Sequence, residues 1–130
     1  MIDATYRTIA DREHRAMAGA SLGATQVFQI TQDHPDLFSH VGSFSAPFGY
    51  PVVPTGYDGL LGDPTEFAKR VKVLYVSAGG AESNEGARMF HDQLQAAEVA
   101  HVYYEAPGNG HGWHAWRKSL HGFAQLLFKD

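Results

Sequence analysis

The chain has 130 residues, enough for one modest hydrophobic core, so a single domain over residues 1–130 is expected. Its formal net charge is −4 and its basic residues are scattered, which argues against nucleic acid or an anionic membrane as the main partner. The absence of cysteine excludes disulfides and thiolate zinc sites. No apolar run approaches the roughly 20 residues of a membrane span, and the first residues do not read as a signal peptide. These features do not indicate in which cellular compartment the protein works.

Apolar runs alternate with helical patterns along the whole chain. Strands are predicted over residues 16–21, 40–45, 71–77 and 99–105, the first of them as a buried strand. Helices are predicted over 23–31, 84–97 and 113–128, with shorter helical turns at 6–9, at 36–38 and from about residue 63 to 69. In the last long helix, the residues expected on or near the apolar face are Trp116, Leu120, Phe123, Leu127 and Phe128. Because strand and helix alternate four times, the sequence predicts an α/β fold: a parallel sheet of about four strands with helices on both faces.

A long segment rich in glycine and proline, residues 46–62, separates the second and third strands. It carries Phe48, Tyr50 and Tyr57. Loops of this length are usually functional or disordered, and the aromatic residues favour an ordered loop that lines a cleft. A surface crossover without a binding role is the alternative.

The sequence Gly19-Ala20-Ser21-Leu22-Gly23 fits the G-x-S-x-G pattern of a nucleophile elbow. It lies between a predicted strand and a predicted helix, which is the context that this motif requires. The serine of such an elbow sits on a strained turn, so small residues are expected two positions away on either side. The turn exposes the serine hydroxyl and directs the N–H groups of the helix N-terminus at the reacting oxygen. The alternative is a strand–helix turn of small residues without chemistry.

Three candidate catalytic groups follow the carboxyl ends of predicted strands, the edge where the active groups of open α/β sheets lie. Ser21 ends the first strand, Glu82 follows the third, and His111 follows the fourth in a glycine-rich loop. The order serine, acid, histidine is that of an α/β hydrolase. In that chemistry a base takes the serine proton and a carboxylate orients the base.

Each of these assignments has alternatives in the sequence. Glu82 is also explained as a solvated acid near a helix start, and Glu85 and Asp92 are weaker candidates for the acid. His114 and His121 compete with His111 but fall within the predicted helix. The spacing of His111 and His114 could suggest a metal pair, yet no further ligand stands at metal-site spacing, so neither a metal nor any other cofactor is predicted. Trp113 and Trp116 fit core positions better than platforms for sugar rings.

Two segments of the chain resemble a known family. Residues 15–23 (RAMAGASLG) resemble the nucleophile segment of the esterase D and feruloyl esterase group, carbohydrate esterase family one. Residues 110–117 (GHGWHAWR) resemble that family's histidine motif, in which the histidine two residues before the first tryptophan is the catalytic base. The resemblance maps the base onto His111 and, through the glycine-rich turn after the third strand, the acid onto Glu82. The chain departs from the family in having Ala24 after the elbow and glutamate where aspartate is commoner.

The resemblance also implies what surrounds the motifs. A complete esterase of this kind is longer, with strands before the elbow that supply a second oxyanion donor, so the chain is expected to be the C-terminal half of an α/β-hydrolase fold. The Leu22 N–H is then the oxyanion donor that this chain carries. The sheet of such a half would have an open edge and could form a homodimer or pair with the missing half.

Two hypotheses on function follow. The first is a serine carboxylic ester hydrolase that works through an acyl-enzyme. By resemblance its substrate is a small-molecule or oligosaccharide ester, of the feruloyl or acetyl type, with Trp113, Phe48 and Tyr50 as the substrate-binding residues. The alternative is a non-catalytic or incomplete α/β-hydrolase fragment that needs a partner chain or a dimer.

Overall fold

A computed structural model of the protein describes residues 1–129. Four strands form one parallel sheet in the order β1-β2-β3-β4, which is also their order in the chain. The strands are β1 (Ala16–Ala20), β2 (His40–Phe44), β3 (Val73–Gly79) and β4 (Val102–Ala106). The helices are α1 (Ile2–Thr5), α2 (Leu22–Asp33), α3 (Pro64–Arg70), α4 (Glu85–Ala96) and α5 (Trp113–Ala124), with short 3-10 turns at Arg12–His14 and Leu60–Gly62.

The helices cover the sheet from both sides, as predicted. On one face α2, α3 and α4 pack on the sheet around a core that includes Phe28, Phe67 and Phe90. On the other face α5 packs through Phe123 against Phe44 and Tyr75. The predicted fold class is therefore confirmed. Within residues 1–129 no helix is long and apolar enough to cross a membrane.

The first strand differs from its predicted burial. All five residues of β2 are buried, whereas four residues of β1 are partly exposed and Ala18 is exposed. The reason is position: within the described residues β1 pairs only with β2 and forms an edge of the sheet. An open groove of about 460 Å³ lies between β1 and the start of α5, and Trp113, Trp116 and Leu120 contribute to its lining. The exposure of β1 thus follows from its position at the edge of the sheet, which its small apolar residues do not indicate.

The last helix ends earlier than predicted and presents a different face to the sheet. Helix α5 ends at Ala124, and its buried residues are Ala115, Ser119 and Phe123. Leu120 is 53% exposed, so its assignment to the apolar face is wrong. Near the N-terminus the helical turn predicted at 6–9 is also wrong, because the short helix there is α1.

The long loop between β2 and α3 is anchored by its aromatic residues. Tyr57 is buried, and its hydroxyl lies 2.7 Å from the Thr31 hydroxyl of α2. The ring of Tyr50 packs against Phe28 and Phe90. Tyr57 and Tyr50 therefore fix an ordered loop on the α2 side of the sheet, whereas Phe48, two residues before Tyr50, stays 60% exposed.

Candidate active site

Ser21 forms the joint between β1 and α2. Its backbone has φ 57° and ψ −125°, in the positive-φ region that residues with a Cβ rarely adopt. Its N–H donates to the Phe44 carbonyl at 2.9 Å, and its carbonyl accepts from the Ala24 N–H at 2.9 Å. These two hydrogen bonds hold the chain in a strand, sharp turn and helix sequence, as the elbow motif predicts.

The two glycines of the motif do not have the same role. A Cβ placed on Gly19 would lie 2.5 Å from the Gly23 carbonyl oxygen, closer than real side chains approach backbone. A Cβ placed on Gly23 would meet no atom within 4 Å. The expectation that both positions must be small is confirmed for Gly19 and wrong for Gly23, since only Gly19 faces the backbone of the turn.

Replacing Gly19 by alanine should therefore disturb the elbow, whereas replacing Gly23 should not. The Cβ at residue 19 forces α2 away from β1, and we expect a loss of about 1–3 kcal/mol in the free energy of unfolding together with a slower reaction of Ser21. Gly23→Ala should keep the rate and gain up to about 1 kcal/mol, because alanine is the better helix residue. Thermal unfolding measures the stability of each variant, and the rate of covalent labelling measures the reactivity of its Ser21. Equal effects of the two substitutions would contradict this assignment.

The acid is carried by a tight turn after β3. Glu82 Oε1 accepts hydrogen bonds from the Gly79 N–H and from the Ser45 hydroxyl, the latter at 2.6 Å. Its other oxygen, Oε2, lies 2.6 Å from His111 Nδ1. The Glu82 side chain is only 8% exposed, so the carboxylate is shielded from water and its oxygens are bound to donors of the protein.

The base reaches the site on the loop after β4. That loop is tied to the acid turn by backbone hydrogen bonds, from the Gly80 N–H to the Ala106 carbonyl at 2.8 Å and from the Ala81 N–H to the Asn109 carbonyl at 2.9 Å. A Cβ on Gly79 would lie 2.6 Å from the Gly110 carbonyl oxygen, so the close approach of the two segments needs glycine there.

The three candidate catalytic groups form one chain of hydrogen bonds. His111 Nε2 lies 2.8 Å from Ser21 Oγ, while His111 Nδ1 faces Glu82. Because an ionised carboxylate only accepts hydrogen bonds, Nδ1 carries the proton, and Nε2 of the neutral ring is left to accept the serine proton. The His111 side chain is 42% exposed, in contrast to the shielded acid. The arrangement can activate a serine hydroxyl at a surface open to a ligand.

Leu22, next to Ser21 in the chain, and Trp113, two residues after His111, are among the exposed apolar side chains, as is Phe48 of the long loop. Leu22 is 59% exposed, Phe48 60% and Trp113 79%. The predicted core position of Trp113 is therefore wrong. Trp116 is partly buried instead, and its ring meets the His111 ring edge-on with the centroids 5.2 Å apart. Leu22 begins α2, where the first N–H groups of a helix lack partners within that helix, as an oxyanion donor requires.

Tyr50 lines the same cavity as Glu82 and His111. Its hydroxyl donates to the Ala46 carbonyl at 2.7 Å. Burial and, to a smaller extent, the charge of Glu82 raise the pKa of Tyr50 to about 12, so this phenol stays neutral. Its predicted contact with substrate stays a prediction, since its ring is held in core contacts.

The competing histidines and acids lie outside the hydrogen-bonded chain. His114 and His121 are exposed on α5, and Glu85 accepts a hydrogen bond from Ser83 on the surface. Within the described residues no group of three or more His, Asp or Glu side chains could hold a metal ion.

Sequence reasoning missed Ser45, the second donor to Glu82. The predicted second strand, residues 40–45, includes Ser45, but β2 ends at Phe44 and Ser45 has φ 56°. The available signal was a polar residue at the carboxyl end of the strand between those that carry Ser21 and Glu82. A positive φ at a serine has no sequence signature, so its role became visible only in the structure.

A parallel α/β sheet with Ser21, His111 and Glu82 linked at its carboxyl edge defines the class of α/β hydrolases. The chain belongs to the Esterase family, described as "Putative esterase", whose profile matches residues 1–126.

Two relatives carry names that refer to ferulic acid. An "Endo-1,4-beta-xylanase/feruloyl esterase" of Xylanibacter ruminicola is 34% identical over 128 residues, which is 98% of this chain and 16% of that protein. The CE1 ferulic acid esterase AmCE1/Fae1A of the anaerobic fungus Anaeromyces mucronatus is 28% identical, with a TM-score of 0.74 over 98% of this chain and 48% of that one.

A third structure supports the fold alone. A fluorophosphonate-binding serine hydrolase of Staphylococcus aureus is 18% identical, with a TM-score of 0.72 over 98% of this chain and 59% of that one. The chain thus spans about half the length of these solved structures and a smaller share of the xylanase/feruloyl esterase.

Proposed function

We propose that the protein is a serine carboxylic ester hydrolase that removes acyl groups of the feruloyl type from carbohydrate through an acyl-enzyme. The observation that carries this proposal is the continuous chain from Ser21 Oγ through the His111 ring to Glu82, with contacts of 2.8 and 2.6 Å. Family membership and the names of two relatives support an ester as the substrate.

The first half of the reaction forms the acyl-enzyme. Ser21 Oγ attacks the ester carbonyl carbon while its proton passes to His111 Nε2. Glu82, held against Nδ1, stabilises the imidazolium that results. The Leu22 N–H donates to the oxyanion of the tetrahedral intermediate. When that intermediate collapses, the carbon–oxygen bond to the sugar breaks and His111 returns the proton to the leaving alcohol.

The second half regenerates the enzyme. A water molecule takes the place of the alcohol and gives its proton to His111 Nε2 as its oxygen attacks the acyl carbon. The bond to Ser21 Oγ then breaks, the serine recovers its proton from His111, and the free carboxylic acid leaves. Each step uses the same three groups, so no cofactor enters the proposed mechanism.

An aromatic acyl group suits the surroundings of Ser21 better than an acetyl group. Leu22, next to Ser21 in the chain, and Trp113, two residues after His111, expose apolar surface, and contact with an aromatic ring would remove such surface from water. A methyl group would cover far less of it. The sugar is expected on the open side of His111, where the leaving alcohol receives its proton.

The test is hydrolysis by the purified chain of a feruloylated xylo-oligosaccharide and of its acetylated counterpart, followed by chromatography. We expect release of ferulate with a larger kcat/KM than release of acetate, and a feruloyl adduct on Ser21 in mass spectra of the acid-quenched reaction. Preference for the acetyl ester would overturn the assignment of the acyl group. A folded chain that cleaves neither ester and forms no adduct would overturn the proposed function.

A further inference from the structure

Ser45 stands between the nucleophile and the acid in the strand order. Strand β2, which it follows directly, lies between β1 and β3, and these carry Ser21 and the turn to Glu82. The Ser45 N–H donates to the Ser77 carbonyl of β3 at 2.7 Å, which continues the ladder of the sheet by one residue. The residue is 3% exposed, so its hydroxyl has little access to water.

The backbone of Ser45 is in a conformation that favours glycine. Its φ is 56°, in the left-handed region that costs a residue with a Cβ on the order of 1 kcal/mol or more. Glycine would adopt this angle without that cost. Because serine bears this conformational cost, we expect its side chain to make a compensating contact, which glycine could not make.

The side chain of Ser45 has one acid partner, Glu82. Its hydroxyl donates to Glu82 Oε1 at 2.6 Å, the same oxygen that accepts from the Gly79 N–H. Oε1 is therefore held by two donors from two neighbouring strands. With Oε1 fixed, the carboxylate plane is set and Oε2 is directed at His111 Nδ1.

We infer that Ser45 is a positioning residue for the triad, one that sets the orientation of the Glu82 carboxylate and through it the His111 ring. The inference rests on the proposed function, because it assigns Ser45 to the same reaction. Glutamate has one more rotatable bond than aspartate, so more conformational freedom must be removed to hold its carboxylate in place. The strained serine supplies part of that restraint, and the Gly79 amide supplies the rest.

The experiment separates the hydroxyl from the backbone strain with two substitutions. Ser45→Gly removes the hydroxyl and relieves the positive φ, whereas Ser45→Ala removes the hydroxyl and keeps the strain. Ser43→Ala is the matched control, because Ser43 is a buried serine two residues earlier, within β2, and its hydroxyl has no hydrogen-bond partner within the described residues. The rate of fluorophosphonate labelling of Ser21, the kcat and KM for the feruloyl ester, and the melting temperature are measured for all variants.

We expect both Ser45 variants to lose about tenfold to hundredfold in labelling rate and in kcat, as befits a lost hydrogen bond to a charged group, with KM little changed. Ser45→Gly should melt at or above the temperature of Ser45→Ala, since it relieves the strain. Ser43→Ala should keep the wild-type rate. Ser45→Thr retains the hydroxyl but puts a β-branched residue at positive φ, so it should label faster than Ser45→Gly although it is less stable.

A spectroscopic measurement keeps this inference independent of activity. The His111 Nδ1 proton, hydrogen-bonded to Glu82, should give a far-downfield resonance in the proton NMR spectrum of the wild-type chain, and this resonance should shift or broaden in both Ser45→Gly and Ser45→Ala. If the wild type neither labels nor hydrolyses esters, the proposed function fails and the resonance alone decides the role of Ser45. A Ser45→Gly variant with the wild-type resonance, or with the wild-type rate in an active protein, would overturn the inference.

Discussion

Replacing Ser21 by alanine is expected to abolish covalent labelling by a fluorophosphonate and to lower ester hydrolysis by on the order of 10⁴-fold to 10⁶-fold. The reason is chemical: the hydroxyl that His111 Nε2 contacts at 2.8 Å is the atom that would bond to the acyl carbon. Structure should be retained, because Ser21 holds the elbow through its backbone N–H and carbonyl rather than through its side chain. Gel fluorescence of the labelled chain and an ester assay measure the loss.

A serine outside the hydrogen-bonded chain serves as the control for this experiment. Ser83 is exposed, and its hydroxyl donates to Glu85 at 2.7 Å rather than to the triad. Ser83→Ala should label and hydrolyse like the wild type. Labelling that persists in Ser21→Ala would show that the probe reacts at another residue, and the assignment of the nucleophile would have to be given up.

Replacing Glu82 by glutamine is expected to lower kcat by on the order of 10⁴-fold without unfolding the protein. Two donors, the Ser45 hydroxyl and the Gly79 N–H, meet at the Oε1 position. The amide of glutamine must therefore place its carbonyl oxygen there, which leaves its NH₂ group facing His111 Nδ1. To accept from that NH₂ group, the imidazole must move its proton to Nε2, and a protonated Nε2 cannot take the proton of Ser21.

Two further measurements test this explanation. Glu82→Ala removes the acid without imposing the wrong tautomer, so it should retain at least as much activity as Glu82→Gln although it loses more contacts of the side chain. The NMR signal of the ring proton should move from Nδ1 to Nε2 only in Glu82→Gln. An active Glu82→Gln variant with its proton still on Nδ1 would contradict the role assigned to the acid.

The sequence predicts the parts of this site that depend on spacing within one segment. The elbow around Ser21 and the glycine-rich loop around His111 each occupy fewer than ten consecutive residues, so short motifs specify them. Glu82 was found because carboxyl ends of parallel strands meet at one edge. The alternation of strands and helices predicts the sheet for a similar reason, since each element is recognised by its own periodicity.

What the sequence does not predict depends on contacts between segments. The exposure of Trp113 and Leu120 follows from the edge position of β1 and from the rotation of α5, neither of which is encoded in α5 alone. Gly19 and Gly23 look equivalent in the motif, yet only Gly19 packs against the turn. Ser45 was missed because its backbone angle and its acid partner, 37 residues away, exist only in the folded chain.

The hydrogen bond between Ser21 and His111 joins residues 90 positions apart, which follow the first and the last strand of a sheet whose strands are in chain order. Closing so long a loop costs more conformational entropy than closing a short one, so we expect this contact to form after β2 and β3 have paired. A nascent or partly unfolded chain can therefore possess a finished elbow and remain chemically inert. Local opening of the segment that carries His111 would make Ser21 unreactive while most of the sheet stays protected from hydrogen exchange. Reactivity of Ser21 should thus report on the folding of the whole chain, as the last property acquired and the first one lost.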